Sequence, residues 1–398
     1  MTYQESLDWL YRTQLFGIKL GLENVERLCG ECGIAVDSPG ILHVAGTNGK
    51  GSVCAFAERL LRESGRRVGL FTSPHLVDFR ERIRIGQEMI SEEAVAEGLG
   101  FFREQVAEWE PHPTFFELTF ALAMKYFQEE AVEAVVLETG MGGRLDATNL
   151  VQPRVVALTP VGLDHQKWLG ESLREIAQEK AGILKVGVPA VSAGQVAEVA
   201  EVLWEQDPAI EFVKEPIPGE WDCGLPGQHQ RANAALAWAA LKRGGWEVGP
   251  ETARRAIAAT RWPGRFEEVR PRLVLDGAHN ESAMEALVAT WRARFGAEKA
   301  SVVFGALADK QPERLLKRLG PIAREFVFVP VNSPRALPVR DLGKAAAGKV
   351  PWQTEVSLEA ALSTALASNR ATLVTGSLFL VGEASGLLRS EAFRPSAQ

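Results

Sequence analysis

The 398-residue sequence has few cysteines, no excess of basic residues and no long apolar run. Four cysteines, at positions 29, 32, 54 and 223, are too few for a disulfide framework and fit a reducing compartment. The net charge of −7 lacks the basic character of a general nucleic-acid binder, so we expect no nucleic-acid partner. Since no run of about 18 apolar residues occurs, we expect no transmembrane helix and no membrane partner.

The sequence also lacks a recognisable signal peptide and internal repeats. Its N-terminal segment, Met-Thr-Tyr-Gln-Glu-Ser, has neither a basic region nor an apolar region of the secretory type. We therefore expect a cytoplasmic protein. The length favours two domains, and the only biased segment is a polar tail after about position 389.

Cys29 and Cys32 form a Cys-x-x-Cys pair. A zinc site would need a second pair or histidines at ligand spacing, and none follows. A redox pair should open a helix after a strand, whereas this pair ends an amphipathic segment that contains Val25 and Leu28. We interpret the pair as a helix C-terminus, with Gly30 and Gly33 as stop signals.

The most informative segment is residues 43–52, which read His-Val-Ala-Gly-Thr-Asn-Gly-Lys-Gly-Ser between two apolar stretches. This order predicts a strand, a glycine-rich turn and a helix start, an arrangement whose backbone N–H groups attract phosphate. Lys50 adds a positive charge for the terminal phosphates, and Ser52 or Thr47 offers a hydroxyl. A general phosphate loop would have Gly at 44 and Ser or Thr at 51, where Val44 and Gly51 stand. We therefore predict a variant ATP loop.

Strand-length apolar runs alternate with helical stretches, which predicts a mostly parallel sheet covered by helices on both faces. The first series of strands is predicted at 41–45, 68–72, 134–137, 155–158 and 190–192, and an alanine-rich helix follows at 230–241. The second series is predicted at 273–275, 301–304, 326–331 and 372–375. The charged, proline-bearing segment 267–272 separates the two series. We predict an α/β protein with a phosphate-loop ATPase domain at 1–268 and a smaller Rossmann-like α/β domain at 272–398.

Polar clusters follow several of the predicted strands, at residues 72–75, 138–140, 164–165 and 276–280. Ligands of open parallel sheets collect at the carboxyl ends of the strands. We therefore expect these clusters to form one composite site.

Some side chains of these clusters have both a chemical and a structural interpretation. Glu138 ends an apolar strand, where an acid holds magnesium in phosphate-loop enzymes, but it can equally cap the following turn. Ser73 offers a hydroxyl to the same ion, although a serine before proline is commonly a turn former. Taken alone, His165 is compatible with a structural histidine and Lys180 with a solvated helix lysine.

The glycine-rich segment 140–149 is too long for a tight turn. It either lets the backbone approach a substrate, with Arg144 or Asp146 fixing polar parts of that substrate, or is a plain surface loop.

Taken together, six motifs in this order resemble one family. They are Gly46-Thr-Asn-Gly-Lys-Gly-Ser52, Thr72-Ser-Pro-His-Leu76, Glu138-Thr-Gly-Met-Gly-Gly-Arg-Leu-Asp-Ala-Thr-Asn149, Leu163-Asp-His-x-x-x-Leu-Gly170, Glu179-Lys-Ala-Gly-Ile183 and Asp276-Gly-Ala-His-Asn280. The chain resembles the folylpolyglutamate synthase/dihydrofolate synthase branch of the Mur-ligase-like, ATP-dependent amide ligases. The resemblance extends to Thr375-Gly-Ser-Leu near the end. Ser52 stands where some members have Thr, and Met141 where some have Leu.

The resemblance implies the following site residues. The ATP site comprises Thr47, Asn48, Gly49, Lys50, Gly51, Ser52, Asn233, Arg265 and Asp276. Ser73 and Glu138 match ligands of one magnesium ion, and His165 matches a ligand of a second, beside a Lys180 that the family carbamylates. The pterin-bearing substrate is held by Lys19, Leu20, Gly21, Thr114, Phe115, Phe116, Glu117, Leu145, Asp146 and Ala147. Lys50, Glu138, His165 and Lys180 are the expected catalytic groups.

The resemblance further implies ATP as co-substrate, two magnesium ions, and L-glutamate and dihydropteroate or folate as substrates. A monomer is our default expectation for the oligomeric state. Transfer of the γ-phosphoryl group would activate the acceptor carboxylate as an acyl phosphate, which glutamate then attacks. The alternatives are the cell-wall branch of these ligases and an ATP-gated protein without ligase activity. Only about 40 residues precede the phosphate loop, too few for the extra N-terminal domain of the cell-wall enzymes. An ATP-gated switch would need no second magnesium site.

Overall fold

The computed structural model describes residues 1–16, 21–37, 40–346, 350–368 and 370–391, together with residues 393 and 395. These residues form two sheets, one of eight strands and one of six. The α/β class with two mostly parallel sheets is the one predicted from the sequence.

The first sheet has the order β4-β3-β2-β5-β1-β6-β7-β8, so β1 is central. All its neighbouring strands pair in parallel except β3 and β4, which form antiparallel pairs beyond β2. Its strands are β1 Gly40–Ala45, β2 Val68–Phe71, β3 Ile83–Ile85, β4 Glu88–Met89, β5 Ala134–Glu138, β6 Val155–Leu158, β7 Ala190–Ala193 and β8 Glu211–Val213.

Helices cover both faces of the first sheet. They are α1 Tyr3–Arg12, α2 Glu23–Glu31, α3 Lys50–Glu63, α4 Glu92–Gln105, α5 Phe115–Glu129, α6 Gln166–Leu169, α7 Leu173–Ala181, α8 Ala197–Gln206, α9 Gln228–Arg243 and α10 Pro250–Ala259. Shorter 3-10 turns occur at Thr13–Phe16, Phe79–Arg82 and Ala147–Leu150.

Successive residues of β1 point to opposite faces, because side chains alternate along a strand. Ile41 packs in the apolar core with helices α1, α2, α4 and α5. Leu42 and Val44 pack in the core on the other face, with α3, α9 and α10. His43 therefore lies on the α5 face of the sheet, although it is polar and fully buried.

The second sheet has the order β13-β12-β11-β14-β10-β9. Only the edge strand β9 is antiparallel to its neighbour. Its strands are β9 Glu267–Arg270, β10 Leu273–Leu275, β11 Ala300–Phe304, β12 Ala323–Phe328, β13 Trp352–Thr354 and β14 Thr372–Thr375. Its helices are α11 Glu281–Phe295, α12 Pro312–Leu319, α13 Val339–Ala345, α14 Leu358–Ala367 and α15 Leu378–Arg389.

The loop that follows β2 of the first sheet packs into the core of the second. Leu76 and Val77 belong to the same buried cluster as Leu275 and Val381. A Cβ atom at Gly382 of α15 would lie 2.0 Å from the Leu76 carbonyl oxygen, so the two backbones are in close contact. The loop that carries Ser73 is therefore fixed from both sheets.

Eight of the nine apolar strands lie where the sequence predicted them, with ends that agree or differ by one residue. The strand predicted at 326–331 is the exception, because it runs from Ala323 to Phe328. The charged segment 267–272, which we expected to link two domains, contains β9, and this strand pairs with β10 of the second sheet.

The cysteine interpretation also holds in the structure. Helix α2 ends at Glu31 with Cys32 as its C-cap, and all four cysteines are free thiols. Within the part of the chain that the structure describes, none of the helices combines the length and apolar character that crossing a membrane would need.

Candidate active site

The turn between β1 and α3 forms a cradle of backbone N–H groups. Gly46 and Gly49 have φ values of +143° and +93°. A Cβ atom at Gly46 would lie 1.9 Å from Oγ1 of Thr159, so only glycine fits there. In the described structure Gly49 caps α3 without a side-chain hydrogen bond, which leaves the first N–H groups of the helix directed at the turn. This is the geometry that binds phosphate.

Two lysines converge on the carbonyl oxygen of Gly46. Nζ of Lys50 donates to it at 3.3 Å and Nζ of Lys180, from α7, at 2.9 Å. Burial, together with the nearby charge of Lys50, lowers the pKa of Lys180 to about 7. A substantial fraction of Lys180 is therefore the neutral, nucleophilic amine at neutral pH.

Ser73 and Glu138 form an oxygen-rich pair at the mouth of this cradle. The buried carboxylate of Glu138 accepts a hydrogen bond from the Ser73 N–H at 3.2 Å. Burial raises the pKa of Glu138, while the charges of Lys50 and Arg265 oppose this shift. Oγ of Ser73 is buried and has no hydrogen-bond partner among the described residues. A carboxylate and a hydroxyl that lacks a partner are oxygen ligands of the kind that magnesium takes.

His165 caps the short helix α6 in a left-handed conformation, with φ of +53°. Its backbone N–H donates to Oδ1 of Asp164 at 2.9 Å. The residue is exposed, and the charges of Asp164, Lys310 and Lys50 act on its ring. Left-handed backbone at a residue other than glycine is strained and is enriched at functional sites.

The expected nucleotide contacts come from both sheets. On α9, Asn233 lies against the cradle, since a Cβ atom at Gly49 would be 2.8 Å from its Oδ1. Asp276 follows β10 and accepts N–H bonds from Phe266 and Ala278 at 2.8 and 2.9 Å. Arg265 joins these two regions, because its charge lowers the pKa of both Asp276 and Glu138 against the effect of burial.

A pocket between the sheets contains some of these groups, but Asn233 and Asp276 are not in its lining. The loop after β2, with Glu138, Arg265 and Leu378, lines it. So do Trp262 and Arg84, whose guanidinium carbon lies 5.7 Å from the centre of the Trp262 ring. The sequence analysis did not find these two residues, because neither Arg84 in a short edge strand nor a lone tryptophan has a recognisable spacing.

Of the four residues at the start of α5, two cap the helix and two pack against neighbouring groups. Thr114 and Glu117 form a reciprocal capping box, so both side chains serve the helix end. Phe115 packs edge-on against Tyr11, with ring centres 5.3 Å apart. Phe116 reaches the glycine-rich loop, since a Cβ atom at Gly140 would lie 2.5 Å from its Cζ. Of these four residues at the start of α5, Phe116 is therefore the one that lies next to both the glycine-rich loop and the carboxyl end of the first sheet.

Asp146 forms hydrogen bonds with other residues of the glycine-rich loop. One carboxylate oxygen accepts from the Met141 N–H at 2.8 Å, and the other accepts from the Thr148 N–H at 3.1 Å. Leu145 is half-buried and Ala147 is buried beside it. Arg144 is exposed and pairs with Glu179 of α7, which fixes the outside of the loop.

The remaining expected substrate residues lie at the start of the chain. Lys19 and Leu20 are outside the described residues. Gly21 lies two residues before the start of α2 and has a φ of +149°.

Comparison with known proteins identifies the family. Residues 44–215 match the model of the Mur ligase middle domain, and residues 264–378 match that of the Mur ligase, glutamate ligase domain. A dihydrofolate synthase/folylpolyglutamate synthase of Bacillus subtilis is 35% identical, over 96% of this chain and 98% of its own length. This chain belongs to the folylpolyglutamate synthase/dihydrofolate synthase family. An Escherichia coli relative of the same description is 34% identical over 82% of this chain and 81% of its own.

Solved structures agree with this assignment. The Escherichia coli FolC protein in complex with DHPP and ADP is 30% identical and superposes with a TM-score of 0.87, covering 97% of this chain and 98% of its own. A folylpolyglutamate synthase from Thermotoga maritima is 32% identical with a TM-score of 0.83, covering 98% and 97%. As a member of this family, the chain is an ATP-dependent ligase that adds glutamate to folate-type acceptors.

Proposed function

We propose that this ligase adds L-glutamate to both dihydropteroate and reduced folates, using magnesium and ATP. The convergence of Lys50, Lys180 and the Ser73–Glu138 pair on the phosphate cradle is the observation that carries the proposal. Support for two acceptors comes from the Bacillus subtilis and Escherichia coli relatives, which are both described as dihydrofolate synthase/folylpolyglutamate synthase.

The first step is activation of a carboxylate, which is a poor electrophile at neutral pH. An oxygen of the acceptor carboxylate attacks the γ-phosphorus of ATP, the bond to the bridging oxygen breaks, and ADP leaves. The N–H groups at the start of α3 hold the phosphates, while Lys50 offsets the charge that develops on the transferred group. Arg265, in the segment just before β9, adds a second positive charge near Glu138.

The second step forms the amide. The amine of glutamate attacks the acyl carbon, phosphate leaves with the electrons of the carbon–oxygen bond, and the nitrogen releases a proton. An acyl phosphate reacts with water, so the pocket between the two sheets must exclude water while glutamate is bound. The contacts between the sheets at Asn48 and Asp164 serve this closure.

Ser73 and Glu138 fit one magnesium ion, since a hydroxyl and a carboxylate are both buried beside the phosphate cradle. Among the described residues no three His, Cys, Asp or Glu side chains converge as a metal site. The protein would therefore supply few ligands, and ATP phosphates and water would complete the set, as is usual for magnesium. Bound there, the ion would supply positive charge beside the phosphates and so favour transfer of the phosphoryl group.

For a second ion we propose His165 and carbamylated Lys180. The neutral amine of Lys180 adds to carbon dioxide and releases a proton, which converts a cation into a carboxylate. The lowered pKa of Lys180, about 7, favours this reaction, because only the neutral amine is nucleophilic. Carbamylation would also remove the repulsion between Lys180 and Lys50 at the Gly46 carbonyl.

The remaining assignments are proposals of the same kind. Thr47 to Ser52, Asn233, Arg265 and Asp276 would contact ATP, while Phe116 and the loop at 140–149 would hold the pterin-bearing substrate.

We propose a two-domain organisation, at 1–268 and 272–398, which the two sheets and the two family models support. Because β9 pairs with β10 of the second sheet, we revise the first of these ranges to end just before Glu267. We also propose a monomer, and a cytoplasmic location suited to four free thiols.

Incorporation of labelled L-glutamate tests the substrate assignment. Purified protein with magnesium and ATP should label products made from dihydropteroate and from tetrahydrofolate. Labelling of the tetrahydrofolate product alone would restrict the enzyme to polyglutamate synthesis and contradict the proposed double specificity.

A further inference from the structure

Three polar side chains form a buried chain beneath the glycine-rich loop. Nε2 of His43, on β1, lies 2.9 Å from Oγ1 of Thr148. The Thr148 hydroxyl in turn donates to Oδ1 of Asp146 at 2.5 Å. His43 and Thr148 are fully buried and Asp146 nearly so, so water does not compete for these bonds.

The donors and acceptors of this chain have a fixed direction. The Asp146 carboxylate accepts the backbone N–H bonds of Met141 and Thr148, one on each oxygen, so it acts as an ionised acceptor. The Thr148 hydroxyl must then give its proton to Asp146 and accept one from Nε2 of His43. His43 is thus a neutral imidazole that carries its proton on Nε2.

Asp146 controls the shape of the loop through its internal hydrogen bonds. Its two oxygens connect Met141, at the start of the loop, with Thr148, near its end. A rotation of this carboxylate would move both ends together. Its orientation is set by Thr148, and Thr148 is oriented by His43.

The position of His43 connects this loop to the phosphate cradle. His43 lies three residues before Gly46 in the strand that enters the cradle. Its neighbours Ile41, Leu42, Val44 and Ala45 are all apolar and buried. Its Nδ1 is buried and has no hydrogen-bond partner among the described residues, an energetic cost that an apolar side chain would avoid.

We infer that His43 is a positioning residue, which through Thr148 and Asp146 holds the pteroyl-binding loop in register with the strand that carries the ATP loop. The inference rests on the proposed function, because it takes the loop at 140–149 to bind the pteroyl acceptor. Its effect is to place the acceptor carboxylate at the correct distance from the γ-phosphate.

Thr148→Val and His43→Leu test the chain, because each replaces a polar group by an apolar one of similar size. We expect either variant to raise the KM for the pteroyl acceptor by about tenfold or more, since small misplacements of a reactant are costly. The KM for ATP should stay within about twofold, as the cradle itself keeps its backbone contacts. Combining both substitutions should add little, because each breaks the same chain.

Conservative variants separate positioning from folding. Thr148→Ser keeps the hydroxyl and His43→Gln keeps an N–H donor near Nε2, so both should recover a low acceptor KM. Thr372→Val is the matched control, since Thr372 is also buried and its hydroxyl bonds one carbonyl group, but at the start of a strand in the second sheet. A merely structural defect would lower the active fraction, and hence kcat, while leaving the acceptor KM unchanged.

These measurements distinguish failure of the positioning role from failure of the proposed function. An unchanged acceptor KM in Thr148→Val and His43→Leu, with an active parent enzyme, would overturn the positioning role alone. A parent enzyme that shows no turnover with any pteroyl acceptor would overturn the proposed function, and with it the basis of the inference.

Discussion

Nζ of Lys310 lies 2.6 Å from Oδ1 of Asp164, and their side chains are only 11% and 9% exposed. Asp164 follows β6 of the first sheet, whereas Lys310 follows β11 of the second. Asn280 adds a bond from its side-chain amide to Oδ2 of Asp164 at 3.1 Å, and exchanges two amide bonds with Asn48 of the phosphate loop. Asn280 therefore connects the second sheet both to Asp164 and to the ATP loop.

This buried pair should stabilise the closed arrangement of the two sheets. We expect Lys310→Met to lower kcat/KM by about tenfold or more, because a buried charge without its partner is strongly unfavourable. Lys310→Met combined with Asp164→Asn should cost less than the sum of the two, as a double-mutant cycle of steady-state kinetics would show. Arg174→Met, which breaks an exposed pair with Glu205, is the control and should change nothing. Strict additivity of the two substitutions would contradict the coupling.

Glu138→Gln keeps the size of the side chain and removes its charge. We expect turnover to fall at least about a hundredfold, because the proposed magnesium ion would lose its carboxylate ligand. Binding of ADP without magnesium, measured by calorimetry, should remain. Glu130→Gln, on the surface, serves as the control. Unchanged magnesium-dependent turnover in Glu138→Gln would remove this residue from the metal site.

Lys180 should be carbamylated, and the modification should depend on pH. Its pKa of about 7 means that the nucleophilic neutral amine becomes the major form as the pH rises through that value. We expect labelled bicarbonate to give a carbamate signal by NMR at about pH 8 that weakens towards about pH 6. The signal should be absent from Lys180→Ala and present in Lys242→Ala.

Short carboxylic acids offer a functional check on the same group. Lys180→Ala should lose turnover, and an added short carboxylate should restore part of it by occupying the space of the carbamate. Full activity of Lys180→Ala without any added acid would show that the carbamate has no role.

His43 should make the protein sensitive to acid. Full burial lowers the pKa of His43 to about 3, against an ordinary value near 6.5. Between these values the unfolded chain binds a proton that the folded protein excludes, so stability falls as the pH falls. Relative to His43→Leu, the parent should lose about 1.4 kcal/mol more of its unfolding free energy per pH unit in this range. Denaturant titrations at about pH 6 and pH 5 would measure it, and equal slopes would contradict a buried neutral imidazole.

Cys29 and Cys32 should be dispensable for activity. Burial raises the pKa of both thiols, that of Cys29 to about 12, so neither is a reactive thiolate. A double Ser variant should keep its kcat, and reducing agents should have no effect. Loss of activity in a variant with an unchanged circular dichroism spectrum would show a chemical role for the pair.

The sequence predicts the central strands because they are buried on both faces and therefore read as continuous apolar runs. It misses β3, β4, β8, β9 and β13, which are short and lie towards the edges of the sheets, and all of them except β3 carry exposed polar residues. Their formation depends on a neighbouring strand, which a local pattern does not record.

The functional site is likewise partly predictable from local sequence and partly dependent on distant contacts. The phosphate loop is readable because glycine spacing, lysine and helix start lie within ten consecutive residues. The contact between Asp164 and Lys310 joins residues 146 positions apart and depends on how the two sheets face each other. The chain from His43 to Asp146 likewise requires knowledge of which face of β1 packs against the glycine-rich loop. Such relationships appear only in three dimensions.

The most direct test of the account is release of phosphate from ATP by the purified protein with magnesium and L-glutamate. Dihydropteroate, tetrahydrofolate and no acceptor are compared. The account predicts release with each of the two acceptors and background release without one, because phosphate leaves only after an acceptor carboxylate has been phosphorylated. Release that is independent of the acceptor, or absent with both, would contradict it.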